Sequence, residues 1–239
     1  MIATLNVRGG THNSCEDSIY WQEVDDFIYG GVFDGCSSGY KSHWASQTLA
    51  YLFAKGFQDP TTNLRASEVY NSLKMLAIML GITEMSMLST CILFSYNQLT
   101  KELKVRAFGD GYYYVNDIEY EIEQNNQPDY LAYVMRDDAL PVFLKMYTTK
   151  TYQNVNKFQI CSDGIRSIDR PQLIDSQPKC SNPLSLLLHP PTGENYLQRQ
   201  WNILKRDSWT IADDLSIISY VQDSEPVQVH QEGDNMGSS

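Results

Sequence analysis

Residues 33–39 read FDGCSSG, and three kinds of active site compete for those seven letters. Gly35-x-Ser37-x-Gly39 spells the sharp turn that presents a hydrolase serine. Cys36 is a thiol nucleophile by residue type, and Asp34-Gly35 ends an apolar run where a metal ligand could stand. The surroundings decide between them, and with them the fold. Upstream, SIYWQEV (18–24) and FIYGGVF (27–33) alternate as two strands around the hairpin turn Asp25-Asp26, with IATLNVR (2–8) as their partner strand. Downstream, HWASQTLAYLFAKGF (43–57) is helical, with Trp44, Leu49, Leu52 and Phe53 as its apolar stripe and Gly56 near its end. Asp-Gly is a favoured hairpin dipeptide because both residues tolerate positive φ. Here it joins a strand to a helix, so a hairpin does not account for it.

A second helix is expected over 66–80, and strands then resume. LSTCILFSYN (88–97) and KELKVRAFGD (101–110) flank a turn at 98–100, and GYYYVND (111–117) follows directly. FLKMYTTKTYQ (143–153) and KFQICSD (157–163) read as a hairpin around 154–156. The acidic segment 118–142 lacks periodicity apart from DYLAYVM, a possible helical turn. Residues 181–206 are weakly helical, broken at His189-Pro190-Pro191, and LSIISYV (215–221) is the last strand. This order of strands, two helices, strands, helix and strand points to an antiparallel α+β core. A single folded domain is expected over 1–222. The polar tail 223–239, without periodicity, reads as disordered.

The 239 residues suffice for one well-buried core. A formal charge of −11 argues against nucleic acid or an anionic membrane as partner. No signal peptide is evident at the N-terminus, and apolar stretches such as LKMLAIMLGI (73–82) are too short to cross a bilayer. Five scattered cysteines without a CxxC pair suit buried thiols in a reducing, cytoplasmic setting.

The carboxylates are the informative residues. Asp34, Asp110 and Asp163 each end an apolar strand and each precedes a glycine. Glu16-Asp17 and Asp213-Asp214 each open one. Any one of them is an ordinary turn residue, but five acidic positions at five strand ends are harder to explain as turns. Gathered in one partly buried place they would repel one another. A site made only of oxygen donors selects hard ions such as Mg²⁺ or Mn²⁺, and two such ions can activate a water for displacement at phosphorus.

The ordered set of Glu16-Asp17, VFDG (32–35), STCILF with FGDG (89–111), CSDG (161–164) and DDLSI (213–217) resembles the metal-dependent serine/threonine protein phosphatases of type 2C. The resemblance spans residues 1–221. It implies a central sandwich of two antiparallel sheets flanked by helices, a phosphorylated protein as substrate, and two Mg²⁺ or Mn²⁺ ions with a third, weaker position. By match of position Asp34 would bridge both metals and the Gly35 carbonyl would bind one. Asp163 and Asp213 would hold the other, Asp17 and Glu16 would complete the cluster directly or through water, and Asp110 would serve the third. A metal-bound hydroxide would be the nucleophile. Three departures stand out. Cys36 replaces the family's proton-donating histidine, which passes that role to water, His12 or His43. No arginine stands just before Glu16-Asp17, where Arg8 is farther off and His12 nearer. GDG replaces GDS.

Other readings remain open at this point. A serine hydrolase could draw on Ser37, Asp163 and His189, but it leaves the other carboxylates unexplained. A thiol phosphatase at Cys36 would need a loop ending in arginine, and CSSGYKS offers only Lys41. A pseudophosphatase that binds a phosphoprotein or a regulatory partner is consistent with the missing arginine and histidine. The acidic segment 118–142, with Glu119, Glu121, Glu123, Asp129, Asp137 and Asp138, reads first as a solvated charged loop; standing where the family carries a flap beside the site, it would favour substrates with basic surroundings.

Overall fold

The computed structural model describes residues 1–36, 43–55, 58–122, 130, 132–133, 148–170 and 180–222, with residue 84 described by its backbone alone. Twelve strands run in chain order among the described residues: β1 (Ile2–Val7), β2 (Ser18–Val24), β3 (Phe27–Gly35), β4 (Ser89–Asn97), β5 (Glu102–Phe108), β6 (Gly111–Val115), β7 (Ile118–Ile122), β8 (Lys150–Tyr152), β9 (Lys157–Cys161), β10 (Ile168–Asp169), β11 (Thr210–Ile211) and β12 (Leu215–Val221). The helices are α1 (His43–Ala54), α2 (Asn63–Leu80), α3 (Pro183–Leu187) and α4 (Tyr196–Arg206). Two five-stranded antiparallel sheets form, in the orders β2-β3-β4-β5-β8 and β1-β12-β9-β6-β7.

Period-2 alternation makes three apolar layers from these two sheets. Ile28 and Val32 of β3 and Ile92, Phe94 and Tyr96 of β4 face Tyr113, Phe158, Ile160 and Tyr220 of the other sheet. The opposite faces of the same strands, with Phe33, Cys91, Leu93 and Phe108, pack under Leu49, Phe53, Val69 and Leu73 of α1 and α2. Beyond the second sheet, Leu5, Cys161 and Ile217 pack against Leu187, Leu197, Trp201 and Leu204 of α3 and α4. At roughly 1.5–3 kcal/mol for each fully buried large side chain, these layers supply the main drive to fold.

Local signals set the edges of α2. The Thr62 hydroxyl accepts the Arg65 N–H at 3.2 Å, and Gly81 closes the helix in the left-handed region at φ 62°. Buried Arg106 of β5 donates to Asn63 Oδ1 at 2.7 Å and to the Thr61 carbonyl, fixing that N-terminus on the sheet. No disulfide links the five cysteines.

Several sequence expectations are corrected. IATLNVR pairs not with the β2-β3 hairpin but with β12, in the other sheet. The described part of segment 143–153, residues 148–153, makes no hairpin with 157–163, because β8 pairs with β5 whereas β9 lies between β6 and β12. Local alternation alone does not reveal which sheet a strand joins. Residues 118–122 are a strand hairpinned to β6 rather than irregular flap. Helix α2 begins three residues before position 66, at Asn63. Trp44 is outside the α1 stripe: it is half exposed, and Ala45, Leu49, Ala50 and Phe53 form the buried face. Ser37, Lys41, Gly56, most of 123–147 and the tail 223–239 lie outside the described residues.

Candidate metal centre

Strand register brings the acidic strand ends together. Phe33 pairs with Cys91, and Cys91 with Phe108, so Asp34, Thr90 and the Asp110 turn leave the first sheet at one end. Val7 pairs with Leu215, and Ile217 with Cys161, so the Gly9 loop, Asp214 and Asp163 leave the second sheet at the same end. A cleft of about 100 Å³ opens there between the sheets, lined by Asp34, Gly35, Cys36, Thr90, Asp110, Tyr130, Asp163 and Asp213. Of the seven positions singled out in the sequence for metal binding, five line this cleft. Among the described residues, no lysine or arginine does.

The two remaining positions stand beside the cleft. Asp17, just before β2, is buried at 3% exposure, and neither of its carboxylate oxygens has a hydrogen-bond partner. Glu16 has one buried oxygen in the same state. Its carbonyl accepts the Gly35 N–H at 3.1 Å, which ties the two strand ends together.

Electrostatics confirm the crowding. Burial, reinforced by Asp17 and Asp163, lifts the Asp34 carboxyl well above the ordinary carboxylate range. Burial, the largest effect, pushes Asp17 up to about 7; the nearby Ser162 and Ser216 hydroxyls oppose it and the charge of Asp214 reinforces it. Asp110 rises to about 6 through burial and Asp163, and Asp213 is raised for the same two reasons. Carboxylates this close are costly when ionised and unpaired. Cations would relieve that cost. The orphaned buried oxygens of Asp17 and Asp163 and the all-oxygen donor set fit hard divalent ions.

His12 sits in a neighbouring cluster rather than in the cleft lining. Its Nδ1 lies 3.0 Å from Asp214 Oδ2 and 3.9 Å from Glu16 Oε2, and its Nε2 is 3.5 Å from Asp213 Oδ1. Burial, the largest single effect, opposes its proton, but the Asp214, Asp213 and Glu16 carboxylates together outweigh it and raise its pKa. His43 begins α1, its ring centre 6.3 Å from that of Trp44 and its ring plane steeply inclined to it at 74°. Arg8 is exposed and donates to the Asn13 carbonyl at 3.2 Å.

Sequence reasoning did not single out Asp214, Thr90 or Tyr130. Asp214, 2% exposed, accepts the N–H groups of Gly9 and Glu16, and so organises the loop that carries His12, Glu16 and Asp17. Its place beside Asp213 in a DD pair was the available signal. Thr90 stands opposite Asp34 in the β3–β4 register. Gly164 is required by close approach, since a Cβ there would collide with the Asp214 carbonyl.

The architecture is that of the type 2C protein phosphatases: an α+β sandwich of two antiparallel sheets between helical layers. A bacterial serine phosphatase aligns with a TM-score of 0.64 at 13% identity, over 92% of this chain and 97% of that one. RsbX, solved in complex with magnesium, aligns at 0.57 and 15% identity, over 91% of this chain and 92% of that one. The catalytic domain of the serine/threonine protein phosphatase PstP, solved with 2 manganese ions, aligns at 0.56 and 15%, over 92% and 96%. No family model matches the sequence, and no curated protein matches it.

Proposed function

We propose that the chain is a metal-dependent protein phosphatase acting on phosphoserine and phosphothreonine. One observation carries the reading: Asp34, Asp110, Asp163 and Asp213 converge on one cleft, with the buried Asp17 carboxylate, neither of whose oxygens has a hydrogen-bond partner, beside it. The solved neighbours that bind magnesium or manganese support it. Asp34 would hold both ions of a pair, the Gly35 carbonyl would bind one of them, Asp163 and Asp213 would hold the other, and Asp110 would hold a third. Glu16 and Asp17 would complete the set directly or through water. Bound there, Mg²⁺ or Mn²⁺ would supply an activated water and offset the charge of the phosphoryl oxygens.

The protein's own part is positional. Asp34 and Thr90 are fixed side by side by the β3–β4 ladder, and Asp214 holds the Glu16-Asp17 strand end against the second sheet. The geometry is therefore set before substrate arrives. One observation favours a second reading, a phosphoprotein-binding pseudophosphatase: among the described residues no cation lines the cleft to grip a phosphate. Hydrolysis of p-nitrophenyl phosphate and of a phosphothreonine peptide by the folded protein with excess Mn²⁺ decides between them. Phosphate release that EDTA abolishes is expected for the enzyme. Peptide binding without release would leave the binding protein.

A further inference from the structure

The stretch LKMLAIMLGI, residues 73–82, has no role in the candidate site. It forms the last two turns of α2 and the chain just beyond, and apart from Lys74 its residues are all apolar. A helix of that kind is normally covered on every side. Here only Leu73 and Ala77 are buried, under the first sheet, while Met75, Ile78, Met79 and Leu80 point outward. Beside them runs a groove of about 620 Å³ between α1, α2 and the turn at 84–87. It is walled by Trp44, Tyr51, Leu76, Leu80, Ile82 and Met87; among the described residues no charged side chain lines it, although Lys55 Nζ stands 4.5 Å from the centre of the Tyr51 ring.

Trp44, Tyr51, Met75, Ile78, Met79 and Leu80 are each 51–73% exposed. At roughly 200 Å² for a large side chain, their exposed surface comes to about 750 Å². The largest apolar patch of an ordinary monomer is roughly 300–600 Å², whereas each partner of a standard stable complex contributes about 800 Å². The patch therefore has the area of one half of an interface.

We propose that a second copy of this chain covers it, in a two-fold dimer built on α1 and α2. Ridge and groove lie side by side on one face, and that is the self-complementary arrangement a two-fold interface needs. The Met75, Ile78 and Met79 ridge of each copy would enter the groove of the other, ridge into groove as packed helices do. Two chains of formal charge −11 would also meet best through a face whose groove carries no charge. The inference is independent of the phosphatase reading.

Sedimentation equilibrium of the full chain tests it. Twice the chain mass is expected at micromolar concentration. Ile78→Glu with Met79→Glu, both at exposed positions that leave the core intact, is expected to raise the dissociation constant at least a hundredfold while the circular dichroism spectrum stays unchanged. Tyr51→Glu, on the other helix, provides an independent disruption should the first variant fold poorly. A wild-type monomer at 100 μM would overturn the proposal, and co-sedimentation of that monomer with neutral phosphatidylcholine vesicles would assign the face to lipid instead. A dimer that survives both folded variants would also overturn it, by placing the contact elsewhere.

Discussion

Asp214 Oδ1 accepts the backbone N–H of Gly9 at 2.6 Å, joining positions 205 residues apart. The other oxygen of the same carboxylate accepts the Glu16 N–H. Asp214→Ala would leave two donors without an acceptor in a largely buried place, where each such loss costs roughly 1–3 kcal/mol. A loss of about 3 kcal/mol is expected from urea unfolding of the metal-free protein. Asp214→Asn keeps one carbonyl acceptor and is expected to lose less.

The contrast between Asp213 and Asp214 shows what the sequence can reveal. Strand ends were legible because apolar alternation stops sharply at Asp34, Asp110 and Asp163, and the antiparallel α+β core followed from the order of strands and helices, whereas the two-sheet sandwich came only with the resemblance to the type 2C phosphatases. The division of the strands between two sheets was not legible. β1 and β12, or β8 and β5, are matched by long-range register, which leaves no mark on either strand alone. For the same reason Asp213 and Asp214 read as one acidic pair, although one borders the cleft and the other is a buried hydrogen-bond hub. His12 shows the same limit, since its pairing with Asp214 spans the whole domain.

Gly164 follows Asp163 and lies directly against the Asp214 backbone, where a Cβ would meet the carbonyl oxygen. The obstacle is main chain rather than a flexible side chain, so Gly164→Ala forces β12 and the turn after β9 apart. Overpacking of this kind costs roughly 1–3 kcal/mol. Because the turn carries Asp163, a loss of Mn²⁺ affinity is also expected by titration calorimetry. A variant with wild-type stability and affinity would show that the turn yields freely.

Asp34 is central to the repulsion among the carboxylates, and its own carboxyl is raised by burial, Asp17 and Asp163. Asp34→Asn removes one charge at nearly constant shape. It is expected to raise the melting temperature of the metal-free protein and at the same time to abolish both the stabilisation by Mn²⁺ and the hydrolysis of p-nitrophenyl phosphate. Loss of activity with loss of fold would instead make Asp34 a structural residue. Calorimetry with and without metal separates the two outcomes.

Protonation should act in the same direction. Asp17 rises from 3.8 to about 7, and Asp110 from 3.8 to about 6. The folded metal-free chain thus holds protons that the unfolded chain has already released above about pH 4. Stability is then fully present below that pH and is lost as pH rises through 6 and 7. In EDTA, a higher melting temperature is expected at pH 5 than at pH 7.5. Excess Mn²⁺ competes with those protons and is expected to stabilise more at pH 7.5 than at pH 5. A metal-free stability that climbs from pH 5 to 7.5 would contradict the carboxylate cluster.

Cys36 lines the cleft, its N–H bound to the Leu88 carbonyl at 3.1 Å, and Ser37 follows it outside the described residues. If the reacting group is a water held by carboxylates, neither side chain supplies the nucleophile. Cys36→Ala and Ser37→Ala are each expected to keep p-nitrophenyl phosphate turnover within about tenfold of wild type, since acid–base assistance contributes roughly 10²–10⁴-fold where a side chain provides it. A true nucleophile would show a far larger loss, as it does in serine hydrolases, where removing the serine costs about 10⁶-fold. Steady-state kinetics of the two alanine variants beside Asp34→Asn therefore sorts the three readings of FDGCSSG. Collapse of Ser37→Ala with Asp34→Asn spared would favour the serine hydrolase, collapse of Cys36→Ala alone would favour the thiol, and collapse of Asp34→Asn alone is the expected result.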